Sequence, residues 1–208
     1  MKALIRIVDD DEELARSYAL LLETAGWECR VWTDGTRFLE EERFERPGCV
    51  ILDMRMPGMN GLEVQKALAE RGSVLPILFL SAHGTISAAV EAVRVGALDF
   101  LEKPADPDSF IEKTAAAVER GQALWTAAER RRSVEKRFLS LTPRERDVVE
   151  AVLDGASNKE IARRLSLEVS TVKMHRAHAF AKLDVHSPQE LTLLAHELDD
   201  SHASPHAS

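Results

Sequence analysis

Apolar positions in the first 120 residues fall into five short runs, at 3–8, 29–32, 49–52, 76–80 and 98–101. Between them lie amphipathic segments at 12–25, 36–43, 62–71, 85–95 and 108–120. Short β-branched runs bounded by turn residues predict buried strands, and the 3.6-residue period predicts helices packed on them. Their alternation predicts an α/β flavodoxin-like fold, a parallel five-stranded sheet in the order 2-1-3-4-5 with helices on both faces.

Beyond residue 120 the strand signals stop. The charged stretch 121–137 has high helical propensity and predicts a helical linker that continues the preceding helix. After it the pattern is all helical. Thr142 and Glu145 form a capping box with Pro143 at the first helical position, and Gly155 is placed to end that helix. Ser157 and Glu160 form a second box ahead of a short helix at 158–165. A third helix at 169–183 buries Val172, Ala179 and Leu183 on one side. Ser170, Met174, Ala177 and Ala181 lie on the other, with Lys173 beside them. A fourth is expected at 188–198, and the polar tail 199–208 is expected to be disordered. The division is therefore 1–120, a linker at 121–137, a four-helix module at 138–198, and the tail.

Composition narrows the setting. The chain has 208 residues, 45% of them hydrophobic and 30% charged, which is the make-up of a globular protein with real cores. No apolar stretch approaches the roughly 18 residues that span a membrane. The start, Met1-Lys2-Ala3-Leu4-Ile5-Arg6, is too short and charged for a signal peptide, so a cytoplasmic location is expected. Cys29 and Cys49 lie in expected strands, where buried apolar thiols are the simple reading. The net charge of -8 is uneven: residues 1–120 hold 14 Lys and Arg against 22 Asp and Glu, and the remainder 13 against 13. Residues 158–183 carry six bases and two acids. This contrast predicts two domains with different partners, although a basic stretch can also be a solvated face.

The ends of the predicted strands carry the chemistry. The first runs into Asp9-Asp10-Asp11, the third into Asp53, the fourth into Ser81 and the fifth into Glu102-Lys103-Pro104. In an open parallel sheet these carboxyl ends share the rim at which ligands bind. Carboxylates gathered there repel one another, and a hard cation such as Mg²⁺, which takes carboxylate, water and phosphate oxygens, resolves the repulsion. Asp53 can then act as a carboxylate nucleophile towards phosphorus. Lys103 can balance phosphate charge, and the Ser81 hydroxyl can bind a phosphoryl oxygen. Asp9 and Asp10 hold the metal, and Asp11 starts the helix. Singly, each has an ordinary reading, as a helix-start acid, a loop lysine or a turn serine; their joint placement at four strand ends selects the functional one.

Those residues, with Leu52-Asp53-Met54-Arg55-Met56-Pro57-Gly58-Met59-Asn60-Gly61 and Leu101-Glu102-Lys103-Pro104, resemble the signature of a two-component response-regulator receiver domain. The resemblance implies phosphate transfer from a sensor histidine kinase to Asp53 with Mg²⁺. It further implies that Asp9, Asp10, Asp53 and the main-chain carbonyl of Arg55 hold the metal. Ser81 and Phe100 would be the pair that rearranges with the phosphate beside Lys103, although by composition Phe100 is simply a core aromatic. His83 lies at the expected site mouth, where a solvated loop histidine is the simpler reading.

In the second half, Leu141-Thr142-Pro143-Arg144-Glu145, Gly155-Ala156-Ser157-Asn158-Lys159-Glu160-Ile161-Ala162 and Thr171-Val172-Lys173-Met174-His175-Arg176 resemble the LuxR/FixJ-type helix-turn-helix domain. By that resemblance Lys173, Met174 and Ala177 would face bases, and Lys159, Ser170, Thr171, Arg176 and Lys182 would address phosphates. Glu168 stands where the family often has Ser or Thr at the cap of the recognition helix. His175 and His178 are three apart, as metal ligands can be, but lack an expected third ligand.

Together these readings predict a DNA-binding transcriptional regulator switched by phosphorylation, homodimeric when phosphorylated, without membrane partners. RNA polymerase enters as a candidate contact. It is expected to be no enzyme beyond catalysing its own phosphorylation and dephosphorylation. Two other classes stay open: a metal-dependent phosphatase or phosphotransferase, weakened because Arg55 cannot act as a proton donor or base, and an adaptor binding protein or RNA through its helical half.

Overall fold

The structure is a computed structural model and describes residues 1–82, 94 and 96–199. It divides into two compact units, Met1–Ala127 and a second beginning at Ala128. In the first, β1 (Leu4–Val8), β2 (Glu28–Trp32), β3 (Gly48–Leu52), β4 (Ile77–Ser81) and β5 (Asp99–Glu102) form a sheet in the order β2-β1-β3-β4-β5. Every neighbouring pair is parallel. This is the expected flavodoxin-like order.

Every residue of β1, β3 and β4 is buried, as strands covered on both faces require. Alternate side chains feed two cores. Val8, Val50, Leu52 and Phe79 pack with Phe38 of α2 (Gly35–Glu41) and Val64 of α3 (Gly61–Glu70). Ile5, Ile7, Ile51 and Leu80 pack with Tyr18 and Leu22 of α1 (Glu12–Thr24) and with Phe110 of α4 (Pro107–Leu139). Asp11 starts α1 as expected, its carboxylate accepting from the Leu14 amide at 3.0 Å.

Arg6 breaks the apolar run of β1 and is wholly buried. Its guanidinium donates to Glu42 at 2.9 Å and to the carbonyl oxygens of Leu4 and Arg46. Burial lowers its pKa against the opposing charge of Glu42, and that carboxylate makes the buried cation tolerable. The thiols of Cys29 and Cys49 are free, Cys49 fully buried, and burial pushes both up to about 12.

The helix expected at 108–120 and the linker expected at 121–137 are one helix of 33 residues. Gly121 does not interrupt it. A Cβ there would lie 1.9 Å from the carbonyl oxygen of Gly48, so a glycine lets this helix lie against the start of β3. The helix expected at 85–95, apart from Arg94, falls outside the described residues, as do His83 and the tail after Asp199.

The second unit contains α5 (Pro143–Leu153), α6 (Asn158–Leu165), α7 (Val169–Leu183) and α8 (Pro188–Asp199). Both expected capping boxes are present, at Thr142/Glu145 and Ser157/Glu160. Gly155, at φ 81°, follows the end of α5. The α7 cap, Glu168, makes no side-chain cap hydrogen bond. Val148, Val152, Ile161, Val172, Ala179, Leu183 and Leu191 close one core. Arg130 forms a two-pronged ion pair with Glu197 at 3.0 and 2.6 Å, and Arg137 donates to the Leu183 carbonyl at the end of α7. Among the described residues no helix is long and apolar enough to cross a membrane.

Candidate functional site

Parallel pairing sets the rim. Val8 is level with Leu52, and Leu52 with Phe79, so the residues after these strands emerge together. Backbone bonds continue past the strand ends: the Asp53 amide donates to Val8 at 2.8 Å, Asp9 to Trp32 at 3.0 Å, and Lys103 to Ser81 at 3.0 Å. Asp9 and Asp53 are consequently buried, at 2% and 5% exposure, while Asp10 is exposed.

Lys103 joins them. Its Nζ lies 2.6 Å from Asp9 Oδ2 and 2.9 Å from Asp53 Oδ1. Burial opposes the ammonium, but its bonds to Asp9 and Asp53 and their charges outweigh that, and its pKa is raised. Burial raises the Asp9 carboxyl, against the opposing pull of Lys103. The other oxygen of Asp53 accepts from the Arg55 amide at 2.7 Å, and Asp9 Oδ1 from the Asp11 amide at 3.1 Å. These bonds fix both carboxylates with oxygens towards one point.

Asp9, Asp10 and Asp53 each offer a carboxylate oxygen, and these atoms lie within 4.8 Å of one another. Three carboxylates against one ammonium leave an excess of negative charge on a largely buried rim. That donor set of hard oxygens fits a divalent cation. His175 and His178 belong to no such group of three among the described residues.

The Asp53 turn is held by close packing. The Gly61 amide donates to Met54 at 3.1 Å, and a Cβ on Gly61 would meet the Asp53 carbonyl oxygen at 2.3 Å and Phe79 Cε1 at 2.8 Å. Asn60 and Glu63 form a capping box that starts α3 just after the turn; its Asn-x-x-Glu spacing was readable in the sequence. Ser81 is buried at the end of β4, and Phe100 packs half-buried against the core shared with α2 and α3.

The second unit presents a different surface. On α7, Ser170, Lys173, Met174 and Ala177 are all exposed, Met174 at 47%. His178 and Ala181 extend the strip at helical spacing. Lys159 is exposed near the start of α6, and Thr171 is half-buried. Arg176 is half-buried, donating to Asn158 Oδ1 at 3.1 Å with its guanidinium 5.0 Å from the Phe180 ring centre. Lys182 binds Glu145 Oε2 at 2.6 Å and the Ser140 carbonyl at 3.3 Å. Arg163 is a further exposed base on α6 that the sequence reading did not single out; its spacing of four from Lys159 was the available signal.

The profile of the family described as the response regulator receiver domain matches residues 5–115, and that of the bacterial regulatory proteins of the luxR family matches 139–195. The chain is a response regulator of the receiver and LuxR-type family. It is 39% identical to the tetrathionate response regulatory protein TtrR of Salmonella typhimurium, over 91% of this chain and 90% of that protein. It is 36% identical to the transcriptional regulatory protein FixJ of Bradyrhizobium diazoefficiens, over 93% and 95% respectively. Among solved structures, the response regulator StyR superposes with a TM-score of 0.82 at 36% identity, covering 95% of this chain and all of that one. Full-length FixJ from B. japonicum gives 0.57 at 34% identity, covering 96% and 98%. As a member of this family, the response regulator is a DNA-binding transcriptional regulator of a two-component system, with a kinase as the partner its receiver implies.

Proposed function

We propose that Asp53 is the phosphoacceptor through which a sensor histidine kinase switches DNA binding by the second unit. The supporting observation is the buried pairing of Asp53 with Lys103 beside Asp9 and Asp10. In the transfer, a carboxylate oxygen of Asp53 forms a bond to phosphorus as the phosphorus–nitrogen bond of the donor's phosphohistidine breaks, and the imidazole takes up a proton as it leaves.

Mg²⁺ held by Asp9, Asp10, Asp53 and the main-chain carbonyl of Arg55 would neutralise phosphoryl oxygens. Lys103 supplies a compact cation that follows the phosphoryl group when it replaces the carboxylate charge. Ser81 contributes a hydroxyl to that group, and Phe100 repacks as Ser81 moves. The phosphoryl group adds about -1.5 to -2 charges to a rim already rich in carboxylates. The reaction is confined to the protein's own phosphorylation and dephosphorylation in the cytoplasm.

Lys173, Met174 and Ala177 are the proposed base-facing residues of α7 in the major groove. Lys159, Ser170, Thr171 and Arg176 are the proposed phosphate-side set, with Lys182 at its edge, its ammonium already held by Glu145. Phosphorylation favours a homodimer that sets two copies of α7 on promoter half-sites about one helical turn apart, where RNA polymerase can be contacted. The test is a gel shift on promoter fragments with and without phosphoramidate and Mg²⁺, beside Asp53→Asn. Binding that strengthens only for the phosphorylated wild type is the expected result; identical binding in every lane overturns the switch.

A further inference from the structure

The turn that carries Lys103 is held by a residue from a distant part of the receiver. Tyr18, on α1, is 7% exposed, and its ring lies 4.6 Å from that of Phe110 at an interplanar angle of 47°. Its hydroxyl oxygen accepts a hydrogen bond from the Ala105 amide at 3.1 Å, across 87 residues of sequence.

Ala105 follows Pro104, which has no amide hydrogen to donate. On the other side of Lys103 the backbone is already tied, its amide donating to the Ser81 carbonyl. The turn is thus attached to β4 before Lys103 and to α1 after Pro104. A lysine side chain is a flexible four-carbon stem, and where its ammonium rests depends on the backbone that bears it. Lys103 must reach Asp9 and Asp53 at once, at 2.6 and 2.9 Å, which leaves little latitude in the turn. The ring of Tyr18 serves the core, as a phenylalanine would. Its hydroxyl has a separate task.

We infer that Tyr18 is a positioning residue for Lys103, its hydroxyl holding the 103–105 turn so that one ammonium spans both carboxylates. This rests on the reading of Asp53 as phosphoacceptor. Tyr18→Phe keeps the ring and deletes the hydrogen bond alone.

The test uses the full-length chain. In Tyr18→Phe, amide hydrogen exchange at Ala105 should speed up while the amides of β1 and β3 keep their protection. The rate of Asp53 phosphorylation by phosphoramidate with Mg²⁺ should fall about three- to tenfold, the equivalent of one net hydrogen bond. In a Lys103→Ala background the same substitution should leave the residual rate unchanged, since the hydroxyl acts through Lys103. An Ala105 amide that stays equally protected overturns the inference, as does an equal fall in rate in the Lys103→Ala background. Failure of the wild type to exceed Asp53→Asn in phosphate uptake overturns the phosphoacceptor reading instead. Uptake by the wild type that Tyr18→Phe matches in rate overturns only the role of Tyr18.

Discussion

Around Asp53, side chains just past the ends of β1, β3 and β5 meet within hydrogen-bonding distance although Asp9 and Lys103 are 94 residues apart. Along α7, the exposed strip Ser170, Lys173, Met174 and Ala177 lies within one helix of 15 residues. The first site is buried and electrostatically crowded, and removing any member alters the others. The second is an open surface whose exposed members stand mostly in water and act nearly independently. The same chain therefore keeps its proposed covalent chemistry where the fold enforces geometry, and its proposed recognition surface where a helix alone supplies spacing.

The largest expected effect separates the two surfaces outright. Asp53→Asn should reduce phosphate incorporation from phosphoramidate to background, a loss of at least about a hundredfold on removal of the nucleophile, read by mobility on phosphate-affinity gels. DNA affinity measured without phosphodonor should stay at its unphosphorylated level. If Asp53→Asn still incorporates phosphate, the acceptor lies elsewhere on the rim.

Gly61→Ala probes how tightly the fold holds that rim. A methyl 2.3 Å from the Asp53 carbonyl must move the turn, and a cost of about 1–3 kcal/mol is expected from overpacking. Urea unfolding followed through receiver amide signals would measure it. An unchanged midpoint would mean that the acidic turn relaxes freely.

The second unit also contains a buried exception to its open surface. The Glu145 carboxyl is held down at about 2, chiefly by the hydrogen bond from Lys182 and then by the Thr142 amide. The folded value lies below the ordinary 4.5, so its stabilisation is present above pH 4.5 and is lost as pH falls from there towards 2. Glu145→Gln should flatten that decline and cost about 1–2 kcal/mol at pH 7, monitored by amide signals of α5 and α7 during urea unfolding. A decline as steep in the variant as in the wild type would assign the acid sensitivity to other groups.

The smallest effect concerns single cations on α7. Lys173→Ala should weaken DNA binding about five- to tenfold and lower the slope of log affinity against log salt by about one. Lys182→Ala should change that slope less, because its ammonium is already bound to Glu145, and should act mainly on stability. Equal slope changes in fluorescence anisotropy titrations would show that Lys182 leaves Glu145 for phosphate on binding.

Much of the receiver was legible because periodicity and turn chemistry are local. The strand ends and the cap at Asp11, like the caps at Thr142 and Ser157 in the second unit, follow from residues within a few positions of one another, and the order of the sheet was expected from the alternation of strands and helices. Helix α4 was legible in its continuity, since the helical propensity of 121–137 carries it on past Arg120, whereas the close approach of Gly121 to Gly48 shows only in the fold. Arg6 gave no signal of a buried ion pair, because its partner Glu42 lies 36 residues away on the end of α2. Tyr18 carries no local signal of its role, because its link to Ala105 crosses the fold. Lys182 and Arg176 have the charge and spacing for phosphate contact, and only packing reveals the partners they already hold.

The amino-acid order by itself determined which residue types stand at the strand ends and along one face of α7, because turn preferences and the 3.6-residue period act over short stretches of chain. The tertiary structure decided which of those groups share a charge. Burying Asp9 and Asp53 beside Lys103, or Glu145 beside Lys182, strengthens their mutual electrostatics as water is withdrawn, and only the folded chain brings such distant residues to the same few ångströms.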